Sequence, residues 1–567
     1  MRYPITLIFL LEFVFSSAQI FPVEIYPHDY FRDPLEIPMS LAANFGELRP
    51  NHYHMGLDIR TQHRENLPVL AAADGYVAKV VIEPLGFGQA IYIRHPNGYT
   101  TLYAHLNSFF PALAAYVEAQ QYRLESWQVS LDIPAGMFPV KKGDLIAYSG
   151  NRGGSQGPHL HFEIRRTADD TNLNPLLFGL PVPDNTAPEI VRLAVYDRNV
   201  SVYEQSPRFC AIQRTGTGLF TVTGDLVTVA ASRVSFAISA FDTQSGSTNP
   251  NGIYEAVLYK DEVPLTGFRM NNISYNDTRN INAHIDYKTR ETGGPFLQHL
   301  SRLPGYTPPS IYHGGDGVID LSDGVVHNIR IEVKDAYGNT ADLRYRVLYK
   351  PSVMTAHEAA PLTGKEFYPG MLDTYETNDC AFYIGEKSLY DSVHIPFNVS
   401  DGPPSPVYSI GETYIPLQEP LLVRIKAKED QIAGGTDRIV MVRSHGKEKE
   451  VQRPEWQGGW ASARWREFGD FQLVQDEEAP RITPLGIKDG ALLSKATQMA
   501  FRVKDDLGAI GDFRAELDGR WLCFTNDKRL DYIYKFDMHC RPGRHTLKVS
   551  AADVAGNRTT SIYHFTR

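Results

Sequence analysis

Apolar residues along this chain mostly alternate with polar ones over short runs, the spacing of half-buried strands, and turn-forming residues separate the runs. Residues 67–81 read as two short strands broken at Ala73, Asp74 and Gly75. Residues 91–95 and 99–106 read as a hairpin, because Asn97-Gly98 between them tolerates positive φ. One segment departs from the pattern. Between 109 and 126, Phe110, Leu113, Val117 and Leu124 fall near helical spacing behind Ser108 and Pro111, which predicts a helix, with a strand after it over 127–133. A turn over 140–144 and a strand over 145–149 then lead into a glycine-rich run, 149–157.

A proline-rich linker, 181–188, marks the first expected boundary, and an imperfect repeat follows it. Ala187-Pro188 and Ala479-Pro480 each open a segment, residues 236–242 align with 499–505, and Asp335 and Asp553 each begin an Asp-x-x-Gly-Asn turn. Alternating strands with such turns predict immunoglobulin-like β-sandwiches over 183–350, enlarged by an insertion at 248–315, and over 478–567. Residues 351–477 read as a third β-rich domain. The fold class is therefore mainly β. The two Asp-x-x-Gly-Asn turns read as turns held by their own side-chain hydrogen bonds, since the alternating acidic ligands of a full calcium loop are absent.

At 567 residues the chain has room for three or four domains of roughly 150 residues. Its net charge of −10 and lack of a basic stretch argue against nucleic acid as a partner. Residues 1–18 combine a basic start, an apolar run and small residues, as a cleaved secretory signal does, and no later run is long and apolar enough to span a membrane. Export to the periplasm, cell envelope or exterior is expected. Cys523 and Cys540 flank an expected hairpin and could pair in an oxidising compartment, with free buried thiols as the alternative.

Chemistry concentrates in residues 54–164. His54 with Asp58 four residues on, and His159-Leu160-His161 far downstream, supply the ligand types of a catalytic zinc. On a strand, His159, His161 and Glu163 share one face while Leu160, Phe162 and Ile164 share the other. By the same alternation Tyr99, Thr101, Tyr103 and His105 fall on one face. Gly56 disfavours a helix between His54 and Asp58, so a bent strand is expected there. Arg49 reads as a surface ion pair, His63 and His95 as solvated, and His52, which would share the strand face of His54, as no metal ligand.

The segments Phe45-Gly46-Glu47-Leu48-Arg49, His54-Met55-Gly56-Leu57-Asp58, Tyr103-Ala104-His105 and His159-Leu160-His161 together resemble the lysostaphin-type zinc endopeptidases of bacterial cell walls. The resemblance covers a core over 44–175 within an expected domain 19–182. It implies that His54, Asp58 and His161 hold Zn2+, that His105 and His159 are catalytic, and that peptidoglycan peptides are the substrate. Glu163 is a candidate partner for an imidazole N–H. Two departures from the family stand out. Arg152 occupies a glycine-loop position where relatives carry a small or hydroxyl residue, and the insertion at about 109–137 replaces a short connection. That insertion either walls the cleft or braces the β-domains. The competing readings are a catalytically silent wall-binding or hydrolase-activating protein, and an adhesion or scaffold protein with an auxiliary peptidase.

Overall fold

The computed structural model describes residues 20–351, 362–428, 435–508 and 510–567, so the expected secretory segment lies outside the described residues. Its N-terminal region is built on one large sheet. The strands are β1 (Leu41–Ala43), β2 (Leu57–Arg60), β3 (Gly75–Ile82), β4 (Gln89–Arg94), β5 (Tyr99–Ala104), β6 (Val129–Asp132), β7 (Leu145–Tyr148) and β8 (His159–Arg166). All but β7 pair in the order β1–β2–β8–β5–β4–β3–β6, and β7 pairs with Pro68–Leu70 and Ser108–Phe109 in a smaller sheet.

Alternation decides which side of the large sheet is core. Leu57, Ile59, Ile91, Ile93, Tyr103, Leu160, Phe162 and Ile164 all enter one apolar cluster. The predicted helix, α1 (Pro111–Leu124), lays Leu113 and Val117 on that cluster, and its chain exits through Glu125 in the left-handed region. Proline is tolerated at its first position because the first helical N–H groups have no intrahelical partner anyway.

The remaining chain is also strands. β9 (Glu189–Asp197) pairs with β11 (Arg233–Thr243), while β10 (Leu219–Val229) runs parallel to β13 (Thr340–Tyr349), itself hairpinned to β12 (His327–Lys334). The repeat keeps this topology at the C-terminus. There β14 (Arg481–Leu485) pairs with β15 (Gln498–Lys504), Ala491–Leu492 runs parallel to β17 (Arg558–Thr566), and β17 is hairpinned to β16 (Arg544–Asp553). In both copies the aligned turn joins the last hairpin. Asp335 Oδ1 accepts from the Tyr337 and Asn339 amides, and Asp553 Oδ1 from the Asn557 amide, as the sequence led one to expect. Between the copies, two five-stranded sheets span Asp373–Gln475. All four cysteines are free thiols, Cys540 buried and Cys523 half-buried.

The insertion at 248–315 attaches the second region to the first. Asn272–Ile273 pairs with Asn172–Leu173, which extends the large sheet, and Phe45, Tyr53 and Met55 pack into the second region's core. Helix α1 makes another long-range attachment. Tyr122 stacks on His539 at 3.7 Å, and Glu125 pairs with Arg514 at 2.7 Å. Of the two roles open to the 109–137 insertion, these contacts serve the brace.

Candidate metal centre

The site lies on the face of the large sheet opposite the apolar cluster, where strand register brings distant residues into one row. His161 on β8 pairs with Asp58 on β2 and with Ala104 on β5. His54 precedes β2 across a bend at Gly56. A Cβ on Gly56 would stand 2.4 Å from the Phe162 carbonyl oxygen and 3.1 Å from His161 Cε1. Glycine is needed there less to avoid helix than to let the bend press against β8.

Strict alternation fails at His105. Tyr99, Thr101 and Tyr103 do share a face, but it is the core face: Tyr103 packs on Phe162 and its hydroxyl accepts from the Ala72 amide. His105 has φ +59°, in the left-handed region, and this turn moves its ring from the core side to the site side. A non-glycine residue held in that region costs about 1–3 kcal/mol and persists where the surroundings impose it.

Three atoms converge at the centre. His54 Nε2 lies 3.0 Å from Asp58 Oδ1 and 3.1 Å from His161 Nδ1, and His161 Nδ1 lies 2.9 Å from Asp58 Oδ1. The outer nitrogens decide what those atoms are. His54 Nδ1–H donates to the Asn44 carbonyl at 2.7 Å, and His161 Nε2–H donates to Glu163 Oε1 at 2.9 Å. Carbonyl and carboxylate oxygens only accept, so in neutral rings both inner nitrogens present lone pairs. Two lone pairs and a carboxylate oxygen facing one another, all buried, form a set that a cation satisfies. Donors on a tetrahedral zinc, at about 2.0–2.1 Å from the metal, lie about 3.3 Å apart. The three residues fit that ion.

The remaining charges hold this set in place. Arg49, expected as a surface ion pair, bridges Glu47 Oε1 at 3.1 Å and Asp58 Oδ2 at 3.4 Å, which leaves Oδ1 to the imidazoles. Burial would push the Asp58 carboxyl up, but His54, His159 and His161 hold it well below the usual range. Burial pulls His161 down, yet Asp58 and Glu163 outweigh it and raise the imidazole to about 9. Glu163, wholly buried, also accepts from Arg165, Asn172 and Tyr275, and is held at about 2 against its burial by Arg165 first.

His159 and His105 face this set, each tied to a carbonyl of the glycine-rich loop. His159 Nδ1–H donates to the Gly157 carbonyl at 2.8 Å, and its Nε2 lies 3.4 Å from Asp58 Oδ1. His105 Nδ1–H donates to the Arg152 carbonyl at 2.8 Å, and the two rings are 4.7 Å apart. Burial, with His159 and His161 nearby, pulls His105 down to about 3, so it is neutral at physiological pH.

Residues 52–122 and 131–175 match the model of Peptidase family M23. The N-terminal region is an M23 peptidase domain. The gap in the match, 123–130, falls within the predicted insertion. The chain is 36% identical over 136 residues to an uncharacterized metalloprotease of Haemophilus influenzae, covering 24% of this chain and 22% of that protein. It is 33% identical over 133 residues to the DD-carboxypeptidase/endopeptidase Mpg of Neisseria meningitidis, covering 24% of each. The chain thus spans about a quarter of the length of these curated relatives. Among solved structures, the catalytic domain of lysostaphin from Staphylococcus simulans aligns with 24% of this chain and 87% of its own length, at 22% identity and a TM-score of 0.18. A Zu5-like domain model matches residues 368–476.

Several residues around the M23 site were not singled out from sequence. Tyr275 donates to Glu163 Oε1 at 2.7 Å from within the 248–315 insertion. A loop near the C-terminus reaches the glycine-rich loop: Asp527 Oδ1 accepts from the Gly153 amide at 2.9 Å, Arg152 pairs with Asp527 Oδ2 at 3.6 Å, and Lys528 donates to the Asn151 side chain and the Ser155 carbonyl. Arg152, unusual for the family at this position, has its partner in another region of the chain. His63 is exposed as expected, and His52 is exposed as well. His95 is not solvated. It is buried, bonded to the Asp74 carbonyl and Thr101 Oγ1, both at 2.8 Å, because Phe31 packs over it.

Proposed function

We propose that this protein is an exported, zinc-dependent endopeptidase acting on the cross-links or stem peptides of peptidoglycan. The observation that carries the reading is the buried convergence of His54 Nε2, Asp58 Oδ1 and His161 Nδ1, with both outer nitrogens committed to acceptors. Zinc bound there would lower the pKa of a coordinated water to about 7 and polarise a substrate carbonyl. Membership of the N-terminal region in a peptidase family supports the reaction class, and the Mpg relative supports the wall peptide as substrate.

The chain's own residues do the rest. His54, Asp58 and His161 hold the ion. His105, neutral and with Nδ1–H tied to Arg152, turns the lone pair of Nε2 toward the pocket. His159, tied to Gly157, presents a second Nε2 lone pair beside Asp58, and the imidazole that takes the proton is the one that returns it to the departing amine. Glu163 and Asn44 keep the ligand imidazoles in the tautomers that leave their lone pairs inward.

The test incubates mature protein with purified peptidoglycan, with and without chelator, beside His159→Ala. New amino groups should appear only with untreated wild type. Their absence in every condition would defeat the enzyme reading, and release that survives chelation would defeat the zinc reading. Mass analysis of the fragments then names the bond.

A further inference from the structure

A second cluster of ligand-type side chains lies away from the peptidase site. Asp184 stands in the linker after the M23 domain, Asp242 near the end of β11, and Asp335 in the turn between β12 and β13, and one oxygen from each lies within 4.8 Å of the others. Asp242 and Asp335 are only 5% and 3% exposed. The groups that act most on Asp242 are the other two carboxylates, and no Lys or Arg pairs with any of the three among the described residues. Asp335 commits its oxygens to its own turn, and Asp184 Oδ1 accepts from the Thr186 amide at 3.0 Å. Asp242 Oδ1 is buried beside them with no hydrogen-bond partner. Asp242 and Asp184 meet side chain to side chain with no cationic group between them, so a shared proton or a bound cation must separate the two carboxylates.

The same residues recur in the repeat. Asp476 precedes Ala479-Pro480 by the spacing at which Asp184 precedes Ala187-Pro188, Asp505 ends the segment aligned with the one Asp242 ends, and Asp553 opens the second Asp-x-x-Gly-Asn turn. Asp553 is 4% exposed, and its Oδ2, like Asp505 Oδ1, has no partner. Each set sits at a junction. Ala336, next to Asp335, packs on the M23 core, while Val554 and Ala555, next to Asp553, pack on Val440 and Val442. Ligand chemistry narrows the ion. Every candidate donor is oxygen, which suits a hard cation, and calcium accepts irregular sets of six to eight oxygens where magnesium demands a strict octahedron.

We propose that Asp184, Asp242 and Asp335 bind a hard divalent cation of the calcium class, fixing the junction between the M23 domain and the β-region after it. Their counterparts in the repeat, Asp476, Asp505 and Asp553, are not drawn into such a cluster, so the proposal rests on the first set alone. The repulsion that pushes Asp242 up to about 8, through burial and then its two acidic neighbours, is what the ion relieves.

The full chain is titrated with Ca2+ and, separately, Mg2+, zinc being kept saturating throughout. Equilibrium dialysis counts bound calcium, and the melting midpoint and protease cleavage within linker 181–188 report on the junction. Calcium should bind, raise the midpoint more than magnesium does, and slow linker cleavage. Asp242→Asn keeps the shape and removes a charge, so it should melt higher than wild type without calcium, bind one ion fewer and lose the linker protection. The proposal fails if wild type binds no calcium up to about 10 mM, ten times the weakest extracellular calcium modules. It also fails if Asp242→Asn leaves the bound count and the protection unchanged.

Discussion

Replacing Glu163 by glutamine should unsettle both the fold and the metal centre. The carboxylate is wholly buried and meets donors only: His161 Nε2 at 2.9 Å and the Tyr275 hydroxyl at 2.7 Å on Oε1, and Arg165 Nε at 2.7 Å and Asn172 Nδ2 at 2.8 Å on Oε2. An amide must turn its NH2 toward one of these pairs. Facing Arg165, it leaves a buried guanidinium with Asp170, at 2.9 Å and mostly exposed, as its one carboxylate partner among the described residues. Facing His161, it favours the tautomer that puts the proton on Nδ1, where the metal belongs. Breaking a buried ion pair by removing one charge costs about 3–5 kcal/mol. The depressed carboxyl gives the same scale by a second route. Held at about 2 against an ordinary 4.5, it corresponds to about 3 kcal/mol, complete above pH 4.5 and lost as pH falls toward 2. Urea unfolding at pH 7 measures the first effect. Competition with a chromophoric chelator measures the second, expected at about 10–100-fold weaker zinc binding. A loss under about 1 kcal/mol with zinc affinity unchanged would show that Glu163 neither balances Arg165 nor sets the His161 tautomer.

Gly56→Ala should cost about 1–3 kcal/mol and weaken metal binding, because its Cβ meets the Phe162 carbonyl at 2.4 Å; an unchanged melting curve would contradict that contact. Asp527→Ala removes the acceptor of the Gly153 amide and the partner of Arg152, whose carbonyl orients His105. At about 1 kcal/mol, turnover should fall about fivefold with zinc affinity unchanged, and unaltered turnover would sever the C-terminal loop from catalysis. Without calcium, the stability advantage of Asp242→Asn over wild type should grow as pH rises from about 4 to about 8. The folded Asp242 carboxyl is raised to about 8, so over that range the native state binds the extra proton and wild-type stability falls. An advantage that stays flat with pH would refute the shift.

What was legible in the sequence is what short-range geometry governs. His161 and Glu163 share the face opposite Phe162 because alternation along β8 runs unbroken, and β8 pairs in register with β2, so Asp58 follows. His105 followed the motif but not the alternation, since one left-handed residue reverses the face and nothing in Tyr103-Ala104-His105 announces it. His95 was misread because the hairpin turn beside it is exposed, while the residue that buries it, Phe31, arrives from another segment. Tyr275 and Asp527 were out of reach for the same reason on a longer scale, lying 112 and 374 residues in sequence from the groups they touch. Those two contacts alter how the non-peptidase regions are read. A module that only carried the enzyme to its target would not need to bond the carboxylate behind His161 or the loop that orients His105. Helix α1, stacked through Tyr122 on His539, fixes the C-terminal region beside that loop. The insertion that sets this chain apart from simpler relatives therefore acts on the site at one remove, through the module it holds there.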